Sequence, residues 1–282
     1  MIRSLLPLAL ILFLPSLALA EAEDAPATEF IRVERSDTQV ALQTATTRYS
    51  KNDIHVDLIG AVHIADEAYY KKLNDSFKAY PVLLFEMVGG EQLGQGRPLP
   101  VKKEGAEGAS SSLSFLNTVF DTMQKVLDLS GQKDHIDYTA KNFLHADLTL
   151  KEFQTLQESR KESLLSFAIK QSLKEDPGSQ PSSIGLLVAL ITRNPDKLKL
   201  QLIDTLGEGD NQMAAMTGEN VIINDRNIKC LEVMQQQVDA GVKNIGIFYG
   251  AAHFPDMEAR LQKLGFKQTQ QTWIDAWVIP QQ

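Results

Sequence analysis

The sequence predicts an α/β fold whose central strands end at one shared edge, with a helical insertion in mid-chain. Three observations predict it. One phrase occurs twice: an apolar strand, then Gly-Ala-x-His, then a helix. The copies run from Val56 to His63 and from Ile245 to His253. The stretch from Ile54 to Phe85 spaces a strand, a helix and a strand as in a βαβ unit, which implies parallel neighbours. Val82-Leu83-Leu84-Phe85 is a continuous apolar run, as in a strand buried on both faces. A strand ending in Gly-x-x-His delivers an imidazole to the carboxyl edge of its sheet, where open α/β sheets bind ligands. His63 and His253 are therefore expected to converge on one site.

The elements follow in order. Arg3, the apolar run Leu5 to Leu14 and Ala18-Leu19-Ala20 have the charge, length and small-residue pattern of a secretory signal peptide cleaved after Ala20. That implies export, to the periplasm or beyond. The apolar run is short for a spanning helix, which needs about 20 residues, and no later stretch reaches that length. No integral membrane span is expected after cleavage. Residues 21–28 read as a leader, and residues 21–282 as a single domain. Phe30 to Glu34, Val40 to Tyr49 and Ile54 to Gly60 read as strands. Asp66 is the expected N-cap of a helix that buries Tyr69, Leu73 and Phe77 and stops at Pro81.

Residues 88–112 hold six glycines, two prolines and three consecutive serines, and read as a flap-like loop. From residue 113 to about 240 the pattern is helical, with an insertion over about 113–218. One stripe is Phe115, Val119, Met123 and Val126; another is Leu164, Phe167, Ile169 and Leu173. Residues 175–183 interrupt the series, and Ile184 to Thr192 is apolar but too short to span a membrane. Pro255 and Gly265 bracket a last helix with Met257, Leu261 and Leu264 buried. Trp273 to Ile279 is the terminal strand.

The whole chain has 28 basic and 36 acidic side chains. Arg3 is the only charge lost with residues 1–20, so the remainder carries a net charge of −9. That argues against nucleic acid and anionic membrane surfaces as partners. The one cysteine, Cys230, rules out an internal disulfide. Its neighbours Ile228, Leu231 and Met234 make it a buried apolar thiol.

Glu86 directly follows the buried strand Val82–Phe85, and a carboxylate there needs a cation, a donor or a metal. Taken singly, each residue has a structural role open to it. His63 and His253 fit turn histidines, Glu86 an ion pair, and Arg226 a solvated helix position. Taken together, His63, His253 and Glu86 suit a divalent hydrolytic metal with open coordination positions. The same groups also make a metal-free acid–base set, with Glu86 as base. Arg226, in Asn224-Asp225-Arg226-Asn227, would then stabilise Glu86 or a developing oxyanion. His55, His135 and His145 read as structural, His55 facing solvent and His145 a candidate for lining a substrate groove. Asp147 or Thr149 caps the helix after it. HExxH, GxSxG and the phosphate-binding GxxxxGK[ST] pattern are absent.

At these residues the chain resembles the TraB/PrgY/GumN/TIKI superfamily, which is related to the erythromycin esterase and ChaN-like proteins. The resemblance is carried by Gly60–His63, Gly250–His253, Glu86 and Arg226, with Asn142–Asp147 also similar. It implies an α/β core with a mixed central sheet flanked by helices, as in those relatives, and catalytic groups at strand ends. Its TIKI branch implies metal-dependent hydrolysis of peptide bonds with manganese or cobalt, zinc or iron being the other candidates. Its esterase branch implies metal-free hydrolysis of a small ester or lactone by a histidine and glutamate base. The ChaN-like relatives imply iron or haem binding.

Overall fold

The computed structural model describes residues 28–99, 121–160, 194–207 and 221–281. The expected signal peptide, the far part of the glycine-rich loop, the residues Phe115, Val119, Leu164, Phe167, Ile169 and Leu173, and the segments 175–183 and 184–192 lie outside these residues. Strands β1 (Ile31–Arg35), β2 (Gln39–Lys51), β3 (Ile54–Ala61) and the short β4 (Ile64–Ala65) precede helix α1 (Glu67–Phe77) and β5 (Val82–Phe85). Then come β6 (Ser130–Gly131), α2 (Gln132–His135), β7 (Phe143–His145), α3 (Leu150–Arg160) and α4 (Pro195–Gly207). A π-helical turn, Val221–Asp225, runs into α5 (Arg226–Asp239). The chain closes with β8 (Asn244–Gly250), a 3₁₀ turn (Ala251–His253), α6 (Phe254–Lys263) and β9 (Lys267–Pro280).

The seven-stranded sheet is mixed. Its path is β1-β2-β3-β8-β5-β7, and β9 pairs with β2. Strands β3, β8, β5 and β7 run parallel, while β1, β2 and β9 are antiparallel to their partners. The parallel half is buried on both faces, and its strands read as continuous apolar runs for that reason. Leu83, Leu84 and Phe85 of β5 and Ile245, Ile247, Phe248 and Tyr249 of β8 are all buried.

Several elements differ from expectation. β3 and β5 are parallel but not neighbours: β8, 160 residues later in the chain than β5, lies between them. Its run of five buried residues belongs at the sheet centre, and only a strand with an apolar neighbour on each side satisfies it. Phe143–His145, within the stretch expected to be helical, is the strand next to β5; three residues are too few for periodicity to reveal. The last strand starts at Lys267, because its polar first half is still paired with β2. Leu264 of the α6 stripe is exposed, while Phe254 takes its place in the core. His55 is half-buried beside Ser50, with Nδ1 2.8 Å from Oγ.

Asp66 precedes α1 but makes no capping hydrogen bond. Its carboxylate accepts from Val278 N at 2.8 Å and faces the buried Lys199 Nζ at 3.6 Å, and its own N–H donates to Ala276 O. It therefore joins α1, α4 and β9. The tyrosines of α1 hold the first Gly-x-x-His turn. Tyr69 OH donates to Gly60 O at 2.9 Å and Tyr70 OH to Val62 O at 3.1 Å. Gln132 N donates to His63 O and Trp277 Nε1 to Ile64 O. The turn is thus gripped at four backbone carbonyls, which fixes where His63 stands. Among the described residues no helix is long and apolar enough to cross a membrane.

Asp57 is the polar break in β3. It is buried, accepts two hydrogen bonds from Arg48 at 2.7 Å each, and accepts a third from Tyr80 OH at 2.7 Å. Asp57→Ala leaves two donors without their charged acceptor and is expected to cost about 2–3 kcal/mol, measurable as a shift of the urea midpoint at unchanged slope. Cys230 is buried, and burial pushes its thiol well above the ordinary range. A raised thiol pKa keeps the thiolate fraction small at pH 8. The native protein is therefore expected to resist a thiol reagent at that pH and to react with one equivalent once unfolded.

Candidate functional site

Four parallel strands end side by side, and each hands one chemical group to the edge. Ala61 of β3 stands opposite Gly250 of β8, and Phe85 of β5 opposite both Phe248 of β8 and His145 of β7. Across this edge the chain places His63, His253, Glu86 and Asp147 in turn, each within a few residues of its strand's end. Helix α5 contributes Arg226 and Asn227 at the junction where the π turn becomes an α-helix. Such π segments are frequent at functional sites.

Glu86 sits at the centre, with its side chain 10% exposed. Oε1 accepts from Arg226 Nη2 at 2.6 Å, and Oε2 accepts from the backbone N–H of Gly250 at 2.6 Å. His253 Nε2 lies 3.6 Å from Oε1. Burial alone would raise the carboxyl's pKa; the charges of Arg226, His253 and His63 outweigh it and hold Glu86 well below the usual carboxylate range. Glu86 is accordingly an ionised group at neutral pH.

Arg226 is committed to two carboxylates. Nε donates to Asp147 Oδ1 at 3.0 Å, while Nη2 donates to Asp147 Oδ2 at 2.7 Å and to Glu86. Burial works against its charge, but Glu86 and Asp147 hold its pKa above the ordinary arginine value. Asp147, whose side chain is fully buried, also accepts from Leu148 N at 2.7 Å. It is the site residue that sequence reasoning missed. The expected helix capping belongs to its neighbour: Thr149 Oγ1 accepts from Glu152 N, and Glu152 Oε2 accepts from Thr149 N, the reciprocal arrangement of a capping box. The available signal was a carboxylate just beyond a short strand: Asp147 is two residues past His145, and Glu86 directly follows Phe85.

The two histidines are held alike but exposed differently. His253 is buried, with Nδ1 2.7 Å from Asn227 Oδ1 and its ring edge-on to Tyr249. His63 is exposed, with Nδ1 3.2 Å from Gln132 Oε1. Tyr249, below the site, donates from its hydroxyl to Ala146 O at 2.6 Å. His145 is engaged elsewhere. Its Nε2–H donates to Met87 O at 2.7 Å and its ring meets Phe85 edge-on, which ties the start of the glycine-rich loop to β7.

Gly250 has φ −52° and ψ 133°, open to any residue, and a Cβ there would make an ordinary 3.4 Å contact with Glu86 Oε2; its part in the site is its backbone N–H. A Cβ on Gly60 would meet Ala45 O at 3.1 Å, so β2 crowds that position.

With neutral imidazoles the cluster has two carboxylates and one guanidinium, a net charge of −1 in a largely buried place. His253 Nε2 and Glu86 Oε1 suit adjacent ligands of one cation, since bonds of about 2.1 Å at a near-tetrahedral angle put ligand atoms about 3.4 Å apart. Among the described residues no group of three His, Cys, Asp or Glu side chains is arranged to hold a metal ion. No family model, curated protein or solved structure matches the chain.

Removing the guanidinium should be the most damaging change at this edge. Arg226→Leu leaves Glu86 and Asp147 buried without their cation and is expected to destabilise the fold by about 3–5 kcal/mol. Arg226→Lys, a point charge that cannot serve both carboxylates from a planar fork, should recover only part. Thermal denaturation of the two variants against the parent protein checks the order.

Proposed function

We propose that this chain is an exported hydrolase that uses a divalent metal ion to cleave a carbonyl substrate, a peptide bond in the first instance. The observation that carries the reading is the facing pair His253 Nε2 and Glu86 Oε1 at 3.6 Å. The lone pair of a neutral imidazole and an ionised carboxylate repel each other, so a cation between them is favoured. At 3.6 Å a protonated His253 would pair with Glu86 as an ion pair and not as a short hydrogen bond. His253 and Glu86 are the groups that would hold the ion, with His63 at the exposed rim. A bound divalent ion there supplies Lewis acidity and a water of lowered pKa.

The chain's own groups divide the remaining work. Arg226 and Gly250 N–H keep Glu86 ionised and aimed, and both of Glu86's oxygens are fixed in place. Arg226 acts as an anchor, its Nε and Nη2 being spent on Asp147 and Glu86. His63, exposed and next to the edge, is the group able to exchange a proton with solvent or with a leaving group. The preference for peptide bonds, and for manganese or cobalt over zinc or iron, follows the resemblance to the TIKI branch.

A second reading keeps the hydrolysis without the metal. It is favoured by the lack of a third ligand in position among the described residues. There the buried His253 carries a second proton as the counter-ion of Glu86, and His63 is the base that activates water toward a small ester or lactone.

Elemental analysis of residues 21–282, beside peptidase and esterase assays with and without chelator, separates the two. Near-stoichiometric metal that falls in His253→Ala and Glu86→Gln, together with chelator-sensitive hydrolysis reduced about 100-fold or more in Glu86→Gln, is the expected outcome. Hydrolysis that survives chelator, in protein that takes up no metal on reconstitution, transfers the assignment to the metal-free mechanism. No hydrolysis with either substrate class overturns both.

A further inference from the structure

We infer that Asn227 and Gln132 are paired positioning residues. Each is a carboxamide lock that fixes one histidine in the tautomer with its proton on Nδ1, which at His253 turns the unprotonated Nε2 toward Glu86. The inference deepens the reading of this edge as a working site, and its test needs no activity.

The assignment at His253 follows from what Asn227 touches. Asn227 Nδ2 is 3.0 Å from His253 O and 2.8 Å from Asp256 Oδ2. Both oxygens only accept, so the atom between them is the amide nitrogen. The other atom of the carboxamide is then the oxygen, and it lies 2.7 Å from His253 Nδ1. That oxygen also only accepts, so Nδ1 carries the hydrogen. In a neutral ring Nε2 is left unprotonated, 3.6 Å from Glu86 Oε1.

Gln132 repeats the device. Its backbone N–H donates to His63 O at 2.9 Å, and its Oε1 lies 3.2 Å from His63 Nδ1. Its Nε2 donates to Tyr138 OH at 2.8 Å, and in that orientation Oε1 faces His63 Nδ1 as an acceptor. Each histidine is thus held at its own carbonyl and at Nδ1 by a single amide residue. Both Asn227 and Gln132 are buried, although nothing in their own elements requires a polar side chain there. The two locks differ in grip: three short hydrogen bonds at Asn227, a longer contact to an exposed ring at Gln132.

The lock at His253 opposes a competing state. Glu86 is an anionic acceptor and Asn227 a neutral one, so a ring released by Asn227 would move its proton to Nε2 and close onto Glu86. That closure would fill the space between the two with a hydrogen bond. Asn227 keeps it open by holding the proton on the far side of the ring. Second-sphere partners of this kind set both tautomer and ligand orientation, at about 10- to 100-fold in metal affinity.

The test is long-range ¹H–¹⁵N correlation of the imidazole nitrogens in chelator-treated, ¹⁵N-labelled protein, under alkaline conditions where one ring proton remains. Nε2 couples to both carbon-bound ring protons and Nδ1 to one, so the two are told apart. Single His→Gln variants assign the five rings. The expected spectrum has Nδ1 protonated at His253 and at His63. Asn227→Leu should interchange the two nitrogen shifts at His253 alone, and Gln132→Leu should move His63 alone toward a tautomer mixture. An Nε2-protonated His253 in the parent protein overturns the inference, and so does a folded Asn227→Leu with an unchanged His253. If Asn227→Leu does not fold, the parent spectrum still decides. A positive spectrum without hydrolysis would leave the locks standing and count only against the proposed reaction.

Discussion

The guanidinium of Arg226 is the interaction on which this edge depends. It joins three elements: β5 through Glu86, the end of β7 through Asp147, and α5 through its own backbone. Two buried carboxylates a few ångströms apart would otherwise repel each other, and each would lose its hydration. With Arg226 between them both stay ionised, and Glu86 keeps a direction. The backbone N–H of Gly250 then aligns β8 on the same carboxylate. Position and charge state in the site are therefore one property, set by a single cation.

Around that cation the two histidines are alike in chemistry and unlike in exposure. The buried ring of His253 is surrounded by Tyr249, Asn227 and Glu86, and it has no room to turn. The ring of His63 stands at the rim, on a turn whose four carbonyls are held from α1, α2 and β9. A fixed inner base and an accessible outer one suit a reaction in which one group stays put while another trades protons with water. This asymmetry arises from the neighbours, because the two sequence motifs are the same.

Much of this was legible in the sequence. The duplicated Gly-x-x-His phrase revealed that two strands would end together, and Val82–Phe85 followed by Glu86 revealed a buried carboxylate. Those signals are local, and the sheet satisfies them directly. What the sequence hid was long-range. β8 lies between β3 and β5, a fact that depends on which strand is most apolar on both faces and not on any spacing. β7 is three residues long and has no period to detect. Asp147 resembles a helix cap until Arg226 is brought beside it. Asn227 and Gln132 are ordinary amides in ordinary helical turns, and only the ring nitrogens opposite them give them a role. Gly250 is part of the legible phrase, but its use, a backbone N–H given to Glu86, shows only in the fold.

The position of β8 has a consequence for how the molecule comes into being. β3, α1 and β5 emerge early in synthesis but leave a gap one strand wide, and the residues that fill it are among the last forty. Until they arrive, Glu86 lacks the Gly250 amide and His63 has no second imidazole beside it. Before β8 docks the cluster is incomplete, however well the first half is formed. Pairings of such long sequence separation also form slowly, so maturation of the site is a late and concerted event. The chain carries its own delay: the cluster around Glu86 is assembled only once β8 has docked between β3 and β5.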